Sequence, residues 1–265
     1  MSRPAIVTDS SAQLTGELTA GLDVRVVPIE ILIDGETDPE TDLDVDLFYE
    51  RILHGARAST SLPSPGRLAA VYRAAAAGGA TEVLSIHLDG RASGTVAGAQ
   101  LAALEVPVDV TVVDTRTASF GVGICVLAAA RAARDGRSGG EIRELVAQLA
   151  ASLDNVFVAS DAPGGRVPSG SGLPLLTFVD GATTAVAACD NFECAAVAMA
   201  ARVPAGRPMR AAVGHAHELM AARADELATL LENTPYVRDV LRYRVSPSVG
   251  AHTGPWSFGA FWWPD

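Results

Sequence analysis

Short β-branched runs alternate with alanine-rich stretches through the first half of the chain, and this alternation restricts the fold more than any other feature. Ala5–Val7, Val24–Val27, Ile29–Ile33, Glu82–His87 and Val108–Val113 have the texture of strands. Gly66–Ala77, Ser93–Leu104 and Cys125–Arg134 have the texture of helices. Strands separated by helices of this length predict a mostly parallel sheet with helices on both faces. In such sheets ligands bind where strand C-termini hand over to loops, and the polar motifs of this chain fall at those ends.

The texture then changes. Glu141–Leu153 is amphipathic, with Ile142, Leu145, Val146 and Leu149 on one stripe. Residues 161–172 are a run of Gly, Pro and Ser, the strongest loop signal in the chain. Beyond them Thr183–Ala188, Met209–Gly214 and Val240–Val245 read as strands, and Asn191–Arg202 and His215–Leu231 as helices. The expected architecture is α/β in two domains. An N-terminal domain over residues 1–155 holds the mostly parallel sheet, and a smaller C-terminal α/β domain covers 156–265.

Composition narrows the chemistry. With 265 residues and 49% hydrophobic content, the chain can bury a large core. Its net charge of −11 opposes nucleic acid and anionic lipid surfaces as partners. Lysine is absent and all 20 basic residues are Arg, which removes Schiff-base and phosphate-loop lysine chemistry in their usual forms. Cys125, Cys189 and Cys194 are odd in number and lack CxxC spacing, which fits a reducing compartment. The N-terminus has no apolar signal core, and no stretch has the roughly 18 uncharged apolar residues of a membrane span. The expectation is a soluble, cytoplasmic protein without stable membrane insertion.

Five polar segments stand out. Thr8-Asp9-Ser10 follows a buried strand, where Asp9 or Ser10 can equally cap a helix. Ser59-Thr60-Ser61-Leu62-Pro63-Ser64-Pro65 places hydroxyls ahead of a helix entered through Pro65. Ser85 to Thr95 runs from a strand through a Gly-containing loop to a helix N-terminus, where N–H groups and the helix dipole favour an anion and Ser93 adds a hydroxyl. A plain helix cap is the competing reading. Asp114 to Gly123 follows another strand, with Gly121 and Gly123 placed for close approach. In Gly250-Ala251-His252-Thr253-Gly254-Pro255, His252 is expected in a tight turn. Arg166, after Gly164-Gly165, supplies a loop guanidinium suited to a carboxylate. Hydroxyls, one Arg, one His and backbone amides are an inventory for binding an anion rather than for hydrolysis.

These segments resemble the motifs of the DegV family. Thr8-Asp9-Ser10 resembles its opening motif and Thr60-Ser61-Leu62-Pro63-Ser64 its TSQPS. Ser93-Gly94-Thr95 matches the end of LSGTY, and Ser119 through Gly123 matches SxGxG. Gly164-Gly165-Arg166-Val167 resembles GGRI, and Gly250–Pro255 matches GAHTGP. The order and spacing agree over nearly the whole chain. The resemblance implies two α/β domains and a long-chain fatty acid held in an apolar tunnel, with no other cofactor and no metal. By position, Thr60, Ser93, Arg166 and His252 would hold the carboxylate, supported by Ser61, Gly94, Thr95, Ser119 and Thr253. It also implies a carrier without catalytic activity of its own, which presents the acid to a separate ATP-binding fatty acid kinase subunit. The chain departs from the family at Asp89-Gly90-Arg91-Ala92, at Val96, at Trp256 and between Phe157 and Ala195.

Two other readings have a named cast. A lipid-binding or sensing protein needs no kinase. A serine hydrolase would use Ser93 with His252 and either Asp9 or Asp114, although the GxSxG elbow is absent. His215 and His217 are poor metal ligands, since positions i and i+2 do not share a helix face.

Overall fold

A computed structural model describes residues 4–159 and 172–265. The chain divides into two compact units that are discontinuous in sequence. The first comprises Met1–Glu30 and Ser61–Ala151; the second comprises Ile31–Thr60 and Ser152–Asp265. The chain thus changes units after Glu30, Thr60 and Ala151, and Ile31–Thr60 groups with the C-terminal residues.

In the first unit, β1 (Pro4–Asp9), β2 (Val24–Val27), β6 (Glu82–His87) and β7 (Asp109–Asp114) form a four-stranded parallel sheet in the order β2-β1-β6-β7. Side chains alternate across it. Ala5 and Val7 of β1 and Val83 of β6 pack with α2 (Pro65–Ala77) and α3 (Thr95–Ala103), through Leu68, Ala69, Tyr72, Ala75, Ala99 and Ala102. The intervening Ile6, Leu84 and Ile86 are also buried. α4 (Phe120–Arg134) packs on β1 and β6, and α5 (Gly139–Ser152) completes the unit. Ser64 caps α2 with Pro65 in its first turn, as its spacing predicts. α4 starts at Phe120 rather than Cys125. Gly121 and Gly123 lie inside it, and a Cβ on Gly123 would overlap the Ala12 carbonyl, so this glycine serves helix-to-chain approach rather than a break.

In the second unit, β8 (Asp154–Val158), β9 (Leu173–Val179), β10 (Ala182–Cys189), β11 (Met209–His215), β12 (Val237–Arg244) and β13 (Phe258–Pro264) make one sheet in the order β10-β9-β8-β13-β11-β12. Only β11 and β12 pair in parallel. One face packs under α6 (Phe192–Ala200) and α7 (Ala221–Glu232), burying Val156, Val158, Val213, Phe258 and Trp262 with Met199 and Leu227. β3 (Glu30–Ile33), β4 (Glu36–Pro39) and β5 (Ala58–Ser61) form a separate three-stranded sheet in the order β4-β3-β5. The helices α1 (Val45–Leu53) and α8 (Pro247–Thr253) meet each other. A Cβ on Gly250 would overlap the Tyr49 ring, so this glycine permits the approach of α8 to α1.

The helix expected over His215–Leu231 is shorter. His215 closes β11, a 3-10 turn covers Glu218–Met220, and α7 begins at Ala221. The cause is local: Nδ1 of His217 accepts the Leu219 N–H at 3.2 Å and caps the 3-10 turn. Among the described residues, no helix is long and apolar enough to cross a membrane.

Candidate functional site

The functional side chains form two groups, one in each unit. In the second unit, Thr60 near the end of β5 and His252 in the last turn of α8 are brought together across 192 residues, with Thr60 Oγ1 3.2 Å from His252 Nε2. His252 therefore sits on a helix, not in the tight turn expected from its flanking glycines. Pro247 occupies the first turn of α8, and Gly254, at φ 74°, ends it. Thr253 Oγ1 donates to the Val249 carbonyl at 3.2 Å and lies 3.0 Å from Ser257 Oγ. These contacts brace the C-terminal end of α8, next to His252. His252 is exposed and Thr60 half-buried, so an incoming acceptor can compete for the threonine hydroxyl or the imidazole.

Beneath this pair, Tyr49 on α1 donates to the Val245 carbonyl at 2.9 Å, and burial drives its phenol well above the ordinary tyrosine range. His217 donates from Nε2 to Glu50 at 3.1 Å, since its Nδ1 is already an acceptor.

In the first unit, Ser93, Gly94 and Thr95 form the entry to α3. Gly94 is the N-cap and offers no side chain. Ser93 Oγ instead accepts the Thr95 N–H at 3.3 Å and lies 2.9 Å from Thr95 Oγ1. The first-turn N–H groups of α3 lie beyond the reach of the helix's own carbonyls, the general arrangement by which a helix N-terminus can receive an anion. A Cβ on Gly94 would stand 2.9 Å from Leu62 Cδ1. Asp89 holds the loop before Ser93: its backbone N–H donates to the Thr117 carbonyl at 2.9 Å, and its carbonyl accepts the Ser93 N–H at 3.1 Å. Its carboxylate receives Arg91 Nε at 3.0 Å and Nη2 at 2.7 Å. The Arg91 hydrogen bonds hold the Asp89 carboxyl below its ordinary range, against the opposing effect of burial. Ser119 stands before α4 with φ 56°, a left-handed conformation that costs a non-glycine residue free energy and sets the entry angle of the helix. Ser61 is exposed at the end of β5. Arg166 lies outside the described residues.

Sequence reading missed a buried polar chain. Asp9, Ser85 and His87 have no exposed surface, and neither has Tyr72. His87 Nδ1 is 2.6 Å from Asp9 Oδ2, His87 Nε2 is 2.7 Å from Ser85 Oγ, and Ser85 Oγ is 2.8 Å from Tyr72 Oη. Asp9 Oδ1 accepts from both the N–H and the hydroxyl of Ser11. A carboxylate only accepts, so one proton per contact runs the chain from Tyr72 through Ser85 and His87 to Asp9. Burial pushes the Tyr72 phenol up, which keeps it a donor. The alternation of β1 and β6 puts Asp9, Ser85 and His87 on the face that carries α2, a relation that follows from period two once the strands are paired.

This chain bears on the hydrolase reading. An Asp–His–Ser arrangement exists, but its serine, Ser85, is fully buried. Asp9 is committed to His87 and Ser11, while Asp114 accepts backbone N–H groups from Gly90 and Arg116. Ser93 Oγ and His252 Nε2 are engaged with Thr95 and Thr60 instead.

The fold and the two polar groups define an α/β protein of two units that offers hydroxyl, imidazole and helix N-terminal donors to an anion. The DegV family model matches residues 3–265. A DegV domain-containing protein of Mycobacterium bovis is 31% identical over 277 aligned positions, covering 96% of this chain and 95% of its own. Among solved structures, a DegV family protein from Thermus thermophilus, described for its fatty acid binding, is similar with a TM-score of 0.85 and 30% identity, covering 99% of this chain and all of its own. DegV of Bacillus subtilis, a fatty acid binding protein, is similar with a TM-score of 0.86 and 25% identity over the whole of both chains. This chain belongs to the DegV family.

Proposed function

We propose that the protein binds one long-chain fatty acid in an apolar tunnel, with Thr60, Ser93, Arg166 and His252 holding the carboxylate. The observation that carries this reading is the contact of Thr60 with His252, which joins two of those four groups. Fatty acid binding by the Thermus thermophilus and Bacillus subtilis relatives supports the same ligand. Energetically, on the order of 16 methylenes at roughly 0.8 kcal/mol each suffice for a stable complex after ordering costs. The desolvated carboxylate then needs donors, because left unpaired it costs several kcal/mol. Hydroxyls, the α3 N-terminus and single cationic groups supply them.

The carrier acts in the cytoplasm as a monomer without catalysis of its own, and presents the acid to a separate ATP-binding kinase subunit for phosphorylation. Native mass spectrometry of the purified protein, with extraction of what it carries, tests the ligand. A one-to-one complex with a long-chain fatty acid, weakened roughly tenfold or more by Ser93→Ala or His252→Ala, is the expected result. A protein that stays empty after incubation with oleate overturns it. Co-purification of an ATP-binding subunit from the native organism tests the presentation step, and its consistent absence would leave a carrier or sensor that works without a kinase.

A further inference from the structure

A helix of seven residues is too short to hold its own place, so the position of α8 is set by what grips it. Its N-cap, Ser246, is of the right type to bond the first-turn N–H groups but makes no such bond. The Ser246 hydroxyl lies instead 3.4 Å from Ser248 Oγ. The Ser248 N–H has no carbonyl of its own helix to meet, and donates to Glu40 Oε1 at 2.6 Å across 208 residues. Glu40 opens a 3-10 turn, Glu40–Asp42, directly after β4, and is only 6% exposed. Its second oxygen, Oε2, is buried without a hydrogen-bond partner. A buried polar oxygen left unpaired costs free energy, a cost that a local serine cap would not carry. What Glu40 supplies in exchange is a cap on the helix that bears His252.

The grip and its target come from the same stretch of chain. Ile31–Thr60 contains Glu40, Thr60 and Tyr49, whose hydroxyl donates to the Val245 carbonyl just ahead of α8. His252 follows Ser248 by four residues, one turn further along the same helix face. We infer that Glu40 is a positioning residue: by holding the Ser248 N–H it sets α8 so that His252 Nε2 stands 3.2 Å from Thr60 Oγ1. Its consequence for binding rests on the reading of Thr60 and His252 as carboxylate ligands. The inference turns on one acceptor oxygen at the reach of a glutamate side chain. Glutamine offers that oxygen at the same reach, and methionine has the length without it.

The test compares Glu40→Met with Glu40→Gln in the full-length protein, by two readouts. One is the imidazole proton–carbon NMR resonances of His252, assigned by their loss in His252→Ala; the other is the Kd for oleate. Glu40→Met should move the His252 resonances toward those of Thr60→Val. It should also weaken oleate binding about tenfold, the worth of one hydrogen bond to a charged group. Glu40→Gln should stay close to wild type in both. In the His252→Ala background, Glu40→Met should weaken oleate binding no further. Unmoved His252 resonances in Glu40→Met would overturn the inference, as would additive losses in the double variant or a Glu40→Gln as weak as Glu40→Met. A wild-type protein that ignores oleate, with His252 still displaced in Glu40→Met, would sink the fatty acid ligand and leave the positioning role standing. If Glu40→Met does not fold, Glu40→Asp, one methylene shorter, should move His252 in the same direction to a smaller extent. Unmoved resonances there overturn the inference equally.

Discussion

Nδ1 of His87 lies 2.6 Å from Oδ2 of Asp9, and neither side chain has any exposed surface. The contact ties the C-terminal end of β6 to that of β1, the edge from which the loop to Ser93 departs. Removing one partner leaves the other buried with its main contact gone, which costs about 3 to 5 kcal/mol. His87→Ala is therefore expected to lower stability by about 3 kcal/mol or more. At the outer end of the same chain, Tyr72→Phe removes one neutral hydrogen bond and is expected to cost about 1 kcal/mol. Trp256, Trp262 and Trp263 all belong to the second unit, so far-ultraviolet circular dichroism in urea is the suitable measurement. Equal losses for the two variants would mean that the imidazole is only packing material.

The grip of Asp89 on Arg91 has a pH signature. The native carboxyl titrates below its unfolded value, chiefly because Arg91 donates to it. Such a group adds stability above the unfolded value of about 3.9. That contribution is lost as pH falls through the lower native value. Arg91 is 46% exposed, so solvent screening limits the pair to about 1 kcal/mol or less. Arg91→Gln should be less stable than wild type at neutral pH, and the gap should close as pH falls through the lowered native value. Carboxyl carbon NMR of Asp89 should show its titration moving up in the variant. An unchanged titration would mean that another group sets it.

His215 acts with the opposite charge sign and in another pH window. Burial first, then the Arg244 charge, lowers its native value. The native state therefore resists protonating it, while the unfolded chain takes up the proton at about pH 6.5. Stability conferred by neutral His215 is complete above that value and declines as pH falls through it, levelling off below the native value. His215→Gln is expected to flatten stability between pH 7 and 5, read as urea midpoints by tryptophan fluorescence. A slope that persists unchanged would assign the pH dependence to other groups.

How far these features could be read from sequence depended on their range. Period two and helix-length alanine runs located β1, β2, β6 and β7 and most of α2 and α3, because each is set by its own residues. Of the three-stranded sheet, β3 was legible as Ile29–Ile33, whereas β4 and β5 left little trace, being four residues long and largely polar. β13 is an unbroken apolar run, Phe258 to Pro264, and only its pairing with β8 and β11 identifies it as a central strand. At the candidate site, Ser93 and Thr60 were legible from local motif order. The bond from Asp9 to His87 spans 78 residues, so reading Asp9 as a cap captured its contact with Ser11 and missed the histidine. For His252, the flanking glycines suggested a turn, whereas Pro247 at a helix start was the decisive signal.

Gly250 offers a way to separate the position of His252 from its chemistry. It lies two residues before His252 on α8, where a Cβ would overlap the Tyr49 ring. Tyr49 is fully buried and donates to the Val245 carbonyl, so it has no free volume into which to retreat. Gly250→Ala must then push α8 away from α1 or break that hydrogen bond, an overpacking cost of about 1 to 3 kcal/mol. The displacement moves His252 Nε2 from its place 3.2 Å from Thr60 Oγ1. If the pair holds a fatty acid carboxylate, Gly250→Ala should weaken oleate binding about as much as His252→Ala, with the imidazole still present. The double variant should then be no weaker than either single one. Additive losses would mean that Gly250 and His252 act on the ligand independently, and that helix placement is not what makes His252 a ligand group.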